Sequence, residues 1–373
     1  MIPVAEPLLG DRELDYVTDC VRSGWVSSLG EYVKRFEREF AAYCGVRYGV
    51  ATHNGTVALH LALVALGIGP GDEVILPTLT FVATANAVAY TGATPVFVDS
   101  EPRTWNIDPA AVAAAITSRT RAIIAVHLYG HPADMDPLRD LAQQHGLVLV
   151  EDAAEAHGAR YKGRRTGSLS DIAIFSFFGN KIVTTGEGGM VLTDDAALAE
   201  RCFFLENQAR HKENPYWHPE IGYNYRMTNI QAALGVAQLE RIDEFIAIRL
   251  RNAAHYKRRL SRVPGLSLPP CAEWAENVYW MVTVLVEDEY GMDRDTLMTR
   301  LRQRDIETRP VFYPVHTLPM YASQKGTREY HPRLPVAEDL SRKGINLPSG
   351  AALTSEQVDI VCDALTEFSQ KGE

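Results

Sequence analysis

A lysine that follows an apolar stretch is the first residue in this chain that could do chemistry. The stretch at 171–180 reads DIAIFSFFGN, Lys181 follows it, and a turn TTGEGG at 184–189 leads into another apolar run. We interpret the stretch as a buried strand that ends in Lys181. Burial disfavours the charged form of an amine, and a neutral lysine amine is the nucleophile that forms a Schiff base with a carbonyl. A lone lysine is more often an exposed loop residue, so this interpretation depends on the neighbours of Lys181.

Asp152 is the neighbour that favours the chemical interpretation. It stands in the sequence EDAAEAHG at 151–158, after the apolar run 147–150, and so lies at the carboxyl end of a predicted strand. A buried carboxylate there suits an ion pair with a protonated pyridine nitrogen, the contact that makes pyridoxal 5′-phosphate (PLP) an electron sink. An aspartate that caps a helix after a strand is the ordinary alternative. The presence of Lys181 further along the chain favours the cofactor.

Four further residues could complete such a site. Gly55 and Thr56 open a predicted helix after the run 48–51, and a helix N-terminus with a glycine and a hydroxyl suits a phosphate dianion. Ser176 offers another hydroxyl close to Lys181 in sequence, and Phe81 could lie against a flat aromatic ring. A helix-capping turn and a core phenylalanine explain the same residue types, so each signal is weak alone.

The elements that must position these residues alternate along the first half of the chain. Short, continuously apolar runs at 74–76, 95–98, 122–126 and 147–150 are typical of strands buried on both faces, and helical patterns separate them. This alternation predicts an α/β sheet with helices on both faces, whose ligands collect at the carboxyl ends of the strands.

The second half of the chain has a different pattern. One long helical pattern begins at Thr228 and runs toward Leu260, and beyond it we expect a small α+β domain. We place the domains at 1–245 and 246–373.

The composition excludes several classes of function. The 373 residues include 47 acidic and 37 basic side chains, a formal net charge of −10, which argues against a general nucleic-acid binder. No window has the ~18 unbroken apolar residues of a membrane span, and the first residues lack the pattern of a signal peptide. The five scattered cysteines and the histidine spacing predict neither a metal site nor a disulfide framework. We therefore expect a cytoplasmic protein without metal, nucleic-acid or membrane partners.

Taken together, the motifs resemble those of the DegT/DnrJ/EryC1/StrS family of PLP-dependent nucleotide-sugar aminotransferases. The likeness covers nearly the whole chain, and its motifs are NGT at 54–56, EDAAE at 151–155, SFFGNK at 176–181, GEGG at 186–189 and YNYRMT at 223–228. The resemblance implies PLP fold type I, the aspartate aminotransferase-like fold. In that fold a large α/β domain with a mostly parallel mixed sheet is followed by a small C-terminal α+β domain.

The resemblance also implies a role for each residue around the cofactor. Lys181 would bind PLP covalently and move protons between the cofactor and substrate carbons. Asp152 would bond the pyridine nitrogen. Glu155 would lie near the ring hydroxyl, where many relatives carry glutamine or histidine. Gly55, Thr56 and Ser176 would hold the phosphate. Phe81 would lie against the face of the ring.

Substrates and partners follow from the same resemblance. Asn224 would reach the cofactor phosphate of the neighbouring subunit, in a homodimer with shared active sites, and Tyr313 and His316 would lie near the sugar. The fragments VHLYG at 126–130, FFGNK at 177–181 and RPVF at 309–312 look most like members that use a GDP-linked sugar. The expected reaction transfers an amino group from L-glutamate to C4 of GDP-4-keto-6-deoxy-D-mannose, giving GDP-perosamine for cell-surface polysaccharide.

Two alternatives stay open. One is an aminotransferase for another 3- or 4-keto sugar linked to dTDP or UDP. The other is a non-catalytic regulatory relative, which predicts the loss of Lys181 or Asp152, and both residues are present.

Overall fold

The computed structural model describes residues 1–269, 271–322 and 333–370 of the chain. Its helices, in chain order, are α1 (Asp11–Ser23), α2 (Glu31–Cys44), α3 (Gly55–Ala65), α4 (Ala83–Tyr90), α5 (Pro109–Ala115), α6 (Met135–His145), α7 (Ala196–Glu206), α8 (Asn229–Leu239), α9 (Ile242–Leu260), α10 (Arg294–Gln303), α11 (Pro319–Ala322), α12 (Pro335–Lys343) and α13 (Ser355–Gln370). Its strands are β1 (Tyr48–Thr52), β2 (Glu73–Pro77), β3 (Thr94–Val98), β4 (Thr120–Val126), β5 (Val148–Asp152), β6 (Arg160–Tyr161), β7 (Arg164–Arg165), β8 (Ile172–Ser176), β9 (Gly189–Thr193), β10 (Leu266–Ser267), β11 (Ala275–Glu276), β12 (Val282–Val286), β13 (Arg309–Pro310) and β14 (Gly344–Leu347).

The main sheet is mixed and mostly parallel. Within the described residues it contains seven strands in the order β1-β9-β8-β5-β4-β2-β3. Neighbouring strands from β8 to β3 run parallel, whereas β9 runs antiparallel to both β1 and β8. The predicted α/β fold is confirmed.

Helices cover both faces of this sheet, as the sequence predicted. On β2, Val74 and Leu76 pack with residues of α3 and α4, whereas Ile75 packs with Val112 of α5 and Leu138 of α6. Alternate residues of a strand point to opposite faces. Because both faces are buried, residues 74–76 of the strand are all apolar, and this explains the continuous apolar run in the sequence.

The strand before Lys181 is shorter than the sequence analysis predicted. β8 ends at Ser176, and Lys181 lies in the following turn, where its backbone N–H donates to Phe178 O at 2.9 Å. The apolar pattern continues past the strand because Phe177 is buried in the core, although its neighbour Phe178 is exposed. The sequence pattern followed burial rather than the end of the strand.

The long helical pattern that begins at Thr228 is helical in the structure and is interrupted once. The structure has two helices, α8 and α9, and Arg241 between them has non-helical backbone angles. Glu240, at the end of α8, accepts hydrogen bonds from Arg12, Arg35 and Tyr16 of the first two helices. The pattern is continuous in sequence because both helices bury apolar side chains. The predicted domain boundary at 245/246 lies within α9 and stays a prediction.

A second sheet, β10-β12-β14-β13, lies in the C-terminal part of the described chain. Its strands pack with α9, α10 and α13 in a separate apolar cluster that includes Tyr256, Leu297 and Val361. Across the described residues, no helix combines the length and the apolar character needed to cross a bilayer.

Candidate active site

A cavity of about 580 Å³ opens at the carboxyl edge of the main sheet. β5 and β8 are neighbours and end at Asp152 and Ser176, so the residues that follow them meet at this edge. Residues of the C-terminal part, including Trp280 and Arg309, form the opposite wall. Among the predicted site residues, those that line the cavity are Gly55, Thr56, Phe81, Asp152, Glu155, Ser176 and Lys181.

The amine of Lys181 lies inside this cavity. Its Nζ is 3.8 Å from Glu155 Oε1 and 3.8 Å from the centre of the Trp280 ring, and only 11% of the side chain is exposed. Burial lowers the pKa of the Lys181 amine, an effect that Glu155 and Asp152 oppose. The neutral amine, which is the form that attacks a carbonyl, is therefore easier to reach here than in water.

Asp152 is a buried carboxylate held by two donors. Thr84 Oγ1 donates to its Oδ2 at 2.8 Å, and Ala154 N donates to its Oδ1 at 3.2 Å. The Thr80 hydroxyl lies 2.9 Å from the Thr84 hydroxyl and extends this network. Burial raises the pKa of the Asp152 carboxyl. A cation placed beside it, such as a protonated pyridine nitrogen, would favour its ionised form.

Glu155 connects the lysine to the loop after β4. Tyr129 N donates to Glu155 Oε2 at 2.8 Å, and Tyr129 has φ +52°, a left-handed conformation that is rare for an aromatic residue. Burial raises the pKa of Glu155 to about 7. This carboxyl can therefore hold or release a proton near neutral pH, 3.8 Å from the Lys181 amine.

The start of α3 forms the other end of the cavity. The Asn54 side chain caps the helix by accepting from Val57 N at 3.0 Å, and the first backbone N–H groups of a helix have no intrahelical acceptor. A Cβ added to Gly55 would come within 2.7 Å of Ser176 Cβ, so glycine permits this close approach. A phosphate at this helix N-terminus would meet the hydroxyls of Thr56 and Ser176.

These groups fit PLP. The cofactor brings an aldehyde, a pyridine nitrogen and a phosphate, and the cavity offers Lys181, Asp152 and the start of α3 to them. The fit depends on the chemistry of the groups that share this one cavity.

Comparison with known proteins agrees with this chemistry. The sequence profile of the DegT/DnrJ/EryC1/StrS aminotransferase family matches residues 7–366. The chain belongs to this family. It is a PLP-dependent aminotransferase of fold type I.

Individual members of the family are similar to this chain over almost their full length. The GDP-perosamine synthase of Caulobacter vibrioides is 50% identical over 367 residues, which cover 98% of this chain and 98% of the relative. The GDP-perosamine synthase of Escherichia coli O157:H7 is 48% identical over 367 residues, with the same shares covered. The crystal structure of DesV from S. venezuelae is 43% identical, with a TM-score of 0.90 over 96% of this chain and 94% of DesV.

Three predicted site residues do not line the cavity. Asn224 is exposed, in a segment held to the end of β1 by a hydrogen bond from His53 N to Tyr225 O at 2.7 Å. Tyr313 is also exposed. His316 Nδ1 lies 2.7 Å from the hydroxyl of Thr78, and its Nε2 lies 3.4 Å from Glu338. The roles expected for these residues stay predictions.

Several cavity residues were not assigned from the sequence. The residues are Thr84, Trp280, Arg309, Phe312 and Asn346. Thr84 had a usable signal, since Thr80 precedes it by four residues and the two hydroxyls meet. The other four come from the C-terminal part: Arg309 and Phe312 belong to the fragment RPVF at 309–312, which was noted without a role for either residue, and no pattern was noted around Trp280 or Asn346.

Proposed function

We propose that this enzyme transfers an amino group from L-glutamate to C4 of GDP-4-keto-6-deoxy-D-mannose and so forms GDP-perosamine. The observation that carries the proposal is the 50% and 48% identity to two GDP-perosamine synthases over 98% of both chains in each pair. The site chemistry supports it, because an amine, a buried carboxylate and a helix N-terminus share one cavity. Glutamate as the amino donor is part of the proposal.

Lys181 carries the proton transfers in the proposed mechanism. Bound PLP would supply the electron sink and the carrier of the amino group between the donor and the keto sugar. The Lys181 amine would take a proton from the carbon of the donor that carries the amino group, as a general base. It would then give this proton to the cofactor carbon, as a general acid. Glu155, 3.8 Å from Nζ, accepts or returns a proton as the amine changes charge. When the keto sugar is bound, the same residues would make these proton transfers in the reverse order.

Asp152 would keep the pyridine nitrogen of the cofactor protonated. Thr84 and Ala154 donate to its two oxygens and orient the carboxylate. Gly55, Thr56 and Ser176 would anchor the phosphate at the opposite end. The cofactor ring would therefore lie between two fixed points, with Lys181 beside it.

We propose a homodimer in which each subunit contributes to both sites. Tyr216, Trp217 and Ile221, in the loop before Asn224, are 90%, 61% and 84% exposed. Large apolar side chains grouped on a surface are typical of an interaction site. A two-fold symmetric contact through this loop would bring the exposed Asn224 to the cofactor phosphate of the partner subunit.

We also propose that the enzyme acts in the cytoplasm. The five cysteines are all free thiols, and four of them are buried. Free thiols are typical of proteins from a reducing compartment.

A panel of keto-sugar nucleotides tests the proposed substrate. GDP-4-keto-6-deoxy-D-mannose, dTDP-4-keto-6-deoxy-D-glucose and 3-keto analogues linked to dTDP or UDP are offered with glutamate. Products are identified by mass and proton NMR. We expect kcat/KM for the GDP sugar to exceed the others by about tenfold or more, because a mismatched sugar leaves buried polar groups unpaired. Preference for a dTDP sugar would overturn the substrate and leave the aminotransferase assignment standing.

A further inference from the structure

Trp280 is a residue of the C-terminal part that contacts the catalytic lysine in two ways. The face of its ring lies 3.8 Å from Lys181 Nζ. Its Nε1 donates to Asn180 O at 2.8 Å, directly before the lysine. The residue is 4% exposed. One indole therefore touches both the amine and the backbone that carries it.

The backbone of Trp280 is itself fixed. Arg249, a buried residue of α9, donates through Nη1 to Trp280 O at 2.9 Å and to Ser349 O at 2.7 Å. Tyr279, immediately before it, has φ +48°, so the chain turns sharply into Trp280. These contacts fix the backbone from which the indole extends toward Lys181.

Trp280 is also connected to the Lys181 amine through Tyr129 and Glu155. The indole stacks on Tyr129, with ring centres 6.1 Å apart and planes inclined by 21°. Tyr129 N donates to Glu155 Oε2, and Glu155 Oε1 lies 3.8 Å from Lys181 Nζ. The two neighbours of the amine are thus parts of one packed unit.

We propose that Trp280 is a positioning residue for the transamination: its indole holds the Lys181 nitrogen beside Glu155 and stabilises the protonated form of that nitrogen. A cation over an indole face is attracted by the ring quadrupole, most strongly where water is excluded. The inference rests on the proposed role of Lys181 as the residue that binds PLP.

The charged and titratable groups around Lys181 all belong to residues other than Trp280. Asp152, Glu155 and His157 interact with the lysine electrostatically from the end of β5 and the turn that follows, and Glu187 and Arg309 line the same cavity. A substitution at Trp280 leaves all five side chains in the protein. A change in the protonation of the lysine nitrogen would therefore report the loss of the indole.

Two substitutions separate the ring from the hydrogen bond. Trp280→Phe keeps an aromatic face and removes the donor to Asn180, whereas Trp280→Leu removes both. Trp274→Phe is the matched control, because Trp274 packs on His131 and Tyr161 and does not line the cavity. The absorbance of the PLP-loaded enzymes is followed from pH 5.5 to 10. Its midpoint reports the protonation of the nitrogen through which Lys181 binds the cofactor.

We expect the midpoint to fall by about 0.5–1.5 pH units in Trp280→Leu, by less in Trp280→Phe, and not in Trp274→Phe. We also expect kcat to fall by about tenfold in Trp280→Leu while KM for glutamate changes less than about twofold, because a residue that positions the proton carrier acts on the chemical step rather than on binding of the donor. Loading with PLP should quench tryptophan emission less in the Trp280 variants than in the wild type, because the quenched indole is absent.

Midpoints and kcat values in both Trp280 variants that match the wild type would overturn the inference. If Trp280→Leu does not fold, Trp280→Phe decides the question alone by the same two values. A wild-type enzyme whose absorbance shows no band assigned to bound PLP would instead overturn the proposed role of Lys181, and this inference with it.

Discussion

Three ionisable side chains, Lys181, Asp152 and Glu155, are buried in one cavity. Burial lowers the pKa of the amine and raises the pKa of both carboxyls, so each group is shifted toward its neutral form. A cofactor that bonds the amine and places a cationic nitrogen beside Asp152 offsets part of this desolvation. We therefore expect PLP to stabilise the folded enzyme as well as to react in it.

The first prediction for a single residue concerns the replacement of Lys181. Lys181→Ala should lose the yellow colour of the lysine-linked cofactor and lower transamination by orders of magnitude, because the nucleophile and the proton carrier are the same amine. Lys162→Ala is the control, since Lys162 is an exposed residue paired with Asp136. Visible absorbance and glutamate-dependent turnover are measured for both. Full activity in Lys181→Ala would contradict the assignment.

Thr84 carries a second residue-level prediction. Thr84→Val removes the hydroxyl that donates to Asp152 Oδ2, and a lost hydrogen bond to a charged group weakens PLP binding by about tenfold or more. Thr84→Ser keeps the hydroxyl and should bind PLP nearly as the wild type does. Equilibrium dialysis gives the Kd for PLP. Equal Kd values for the valine and serine variants would argue against a role for this bond.

The residues that could be assigned from sequence follow the ends of strands. Asp152 ends β5 and Ser176 ends β8, so a local pattern was enough to bring them to one edge of the sheet. Trp280 and Arg309 reach the cavity only because the C-terminal part packs against that edge. Their contacts depend on long-range packing, which no local pattern in a single sequence records.

Among the elements, the segment that carries Asn224 is fixed by its backbone. Met227 N donates to Ala51 O at 3.4 Å, and Tyr225 N donates to Glu206 O at 3.0 Å. The segment is therefore attached both to β1 and to the end of α7. The carboxyls of the half-buried Glu37 and the buried Glu206 interact electrostatically in this region, and desolvation raises the pKa of both.

Glu37 makes the stability of this region depend on pH. Desolvation of this half-buried carboxyl raises its pKa to about 7 in the folded protein, against 4.5 for an ordinary glutamate. The folded state thus binds the proton more tightly than the unfolded state. The contribution of Glu37 to stability is fully present below about pH 4.5 and is lost as the pH rises through about 7.

We therefore expect Glu37→Gln, which cannot ionise, to become more stable relative to the wild type as the pH rises from 5 to 8. The difference in free energy of unfolding should grow by about 1–2 kcal/mol, and glutamine keeps an acceptor for Ala51 N. Glu31→Gln, on the same helix, is the control, because Lys34 lowers the pKa of Glu31 and that carboxyl stays ionised over this range. Urea unfolding at each pH gives the values. A difference that is independent of pH for Glu37→Gln would contradict this explanation.

Elements were predicted well where both of their faces are buried. The runs 74–76 and 122–126 lie in β2 and β4, since apolar side chains are required on both sides of a parallel strand. The end of β8 and the break after α8 were missed, because buried residues such as Phe177 continue the apolar pattern into turns. Burial sets this pattern, and burial does not stop where backbone pairing stops.

For the whole molecule, the proposed dimer gives a complementation test. In a mixture of Asn224→Ala and Lys181→Ala subunits, each mixed dimer would contain one site with both defects and one site with neither. We expect activity to recover on mixing, to roughly a quarter of the wild-type value for random pairing of equal amounts, because half of the dimers are mixed and half of their sites are intact. Confirmed mixed dimers without recovery would contradict shared sites.

The transfer of labelled nitrogen tests the central proposal most directly. Wild-type enzyme is incubated with PLP, GDP-4-keto-6-deoxy-D-mannose and L-glutamate that carries ¹⁵N at its amino group, and the sugar nucleotide is recovered for mass spectrometry and NMR. The proposed function predicts GDP-perosamine with ¹⁵N attached to C4. A sugar nucleotide that returns without nitrogen, or with nitrogen at another carbon, would contradict it.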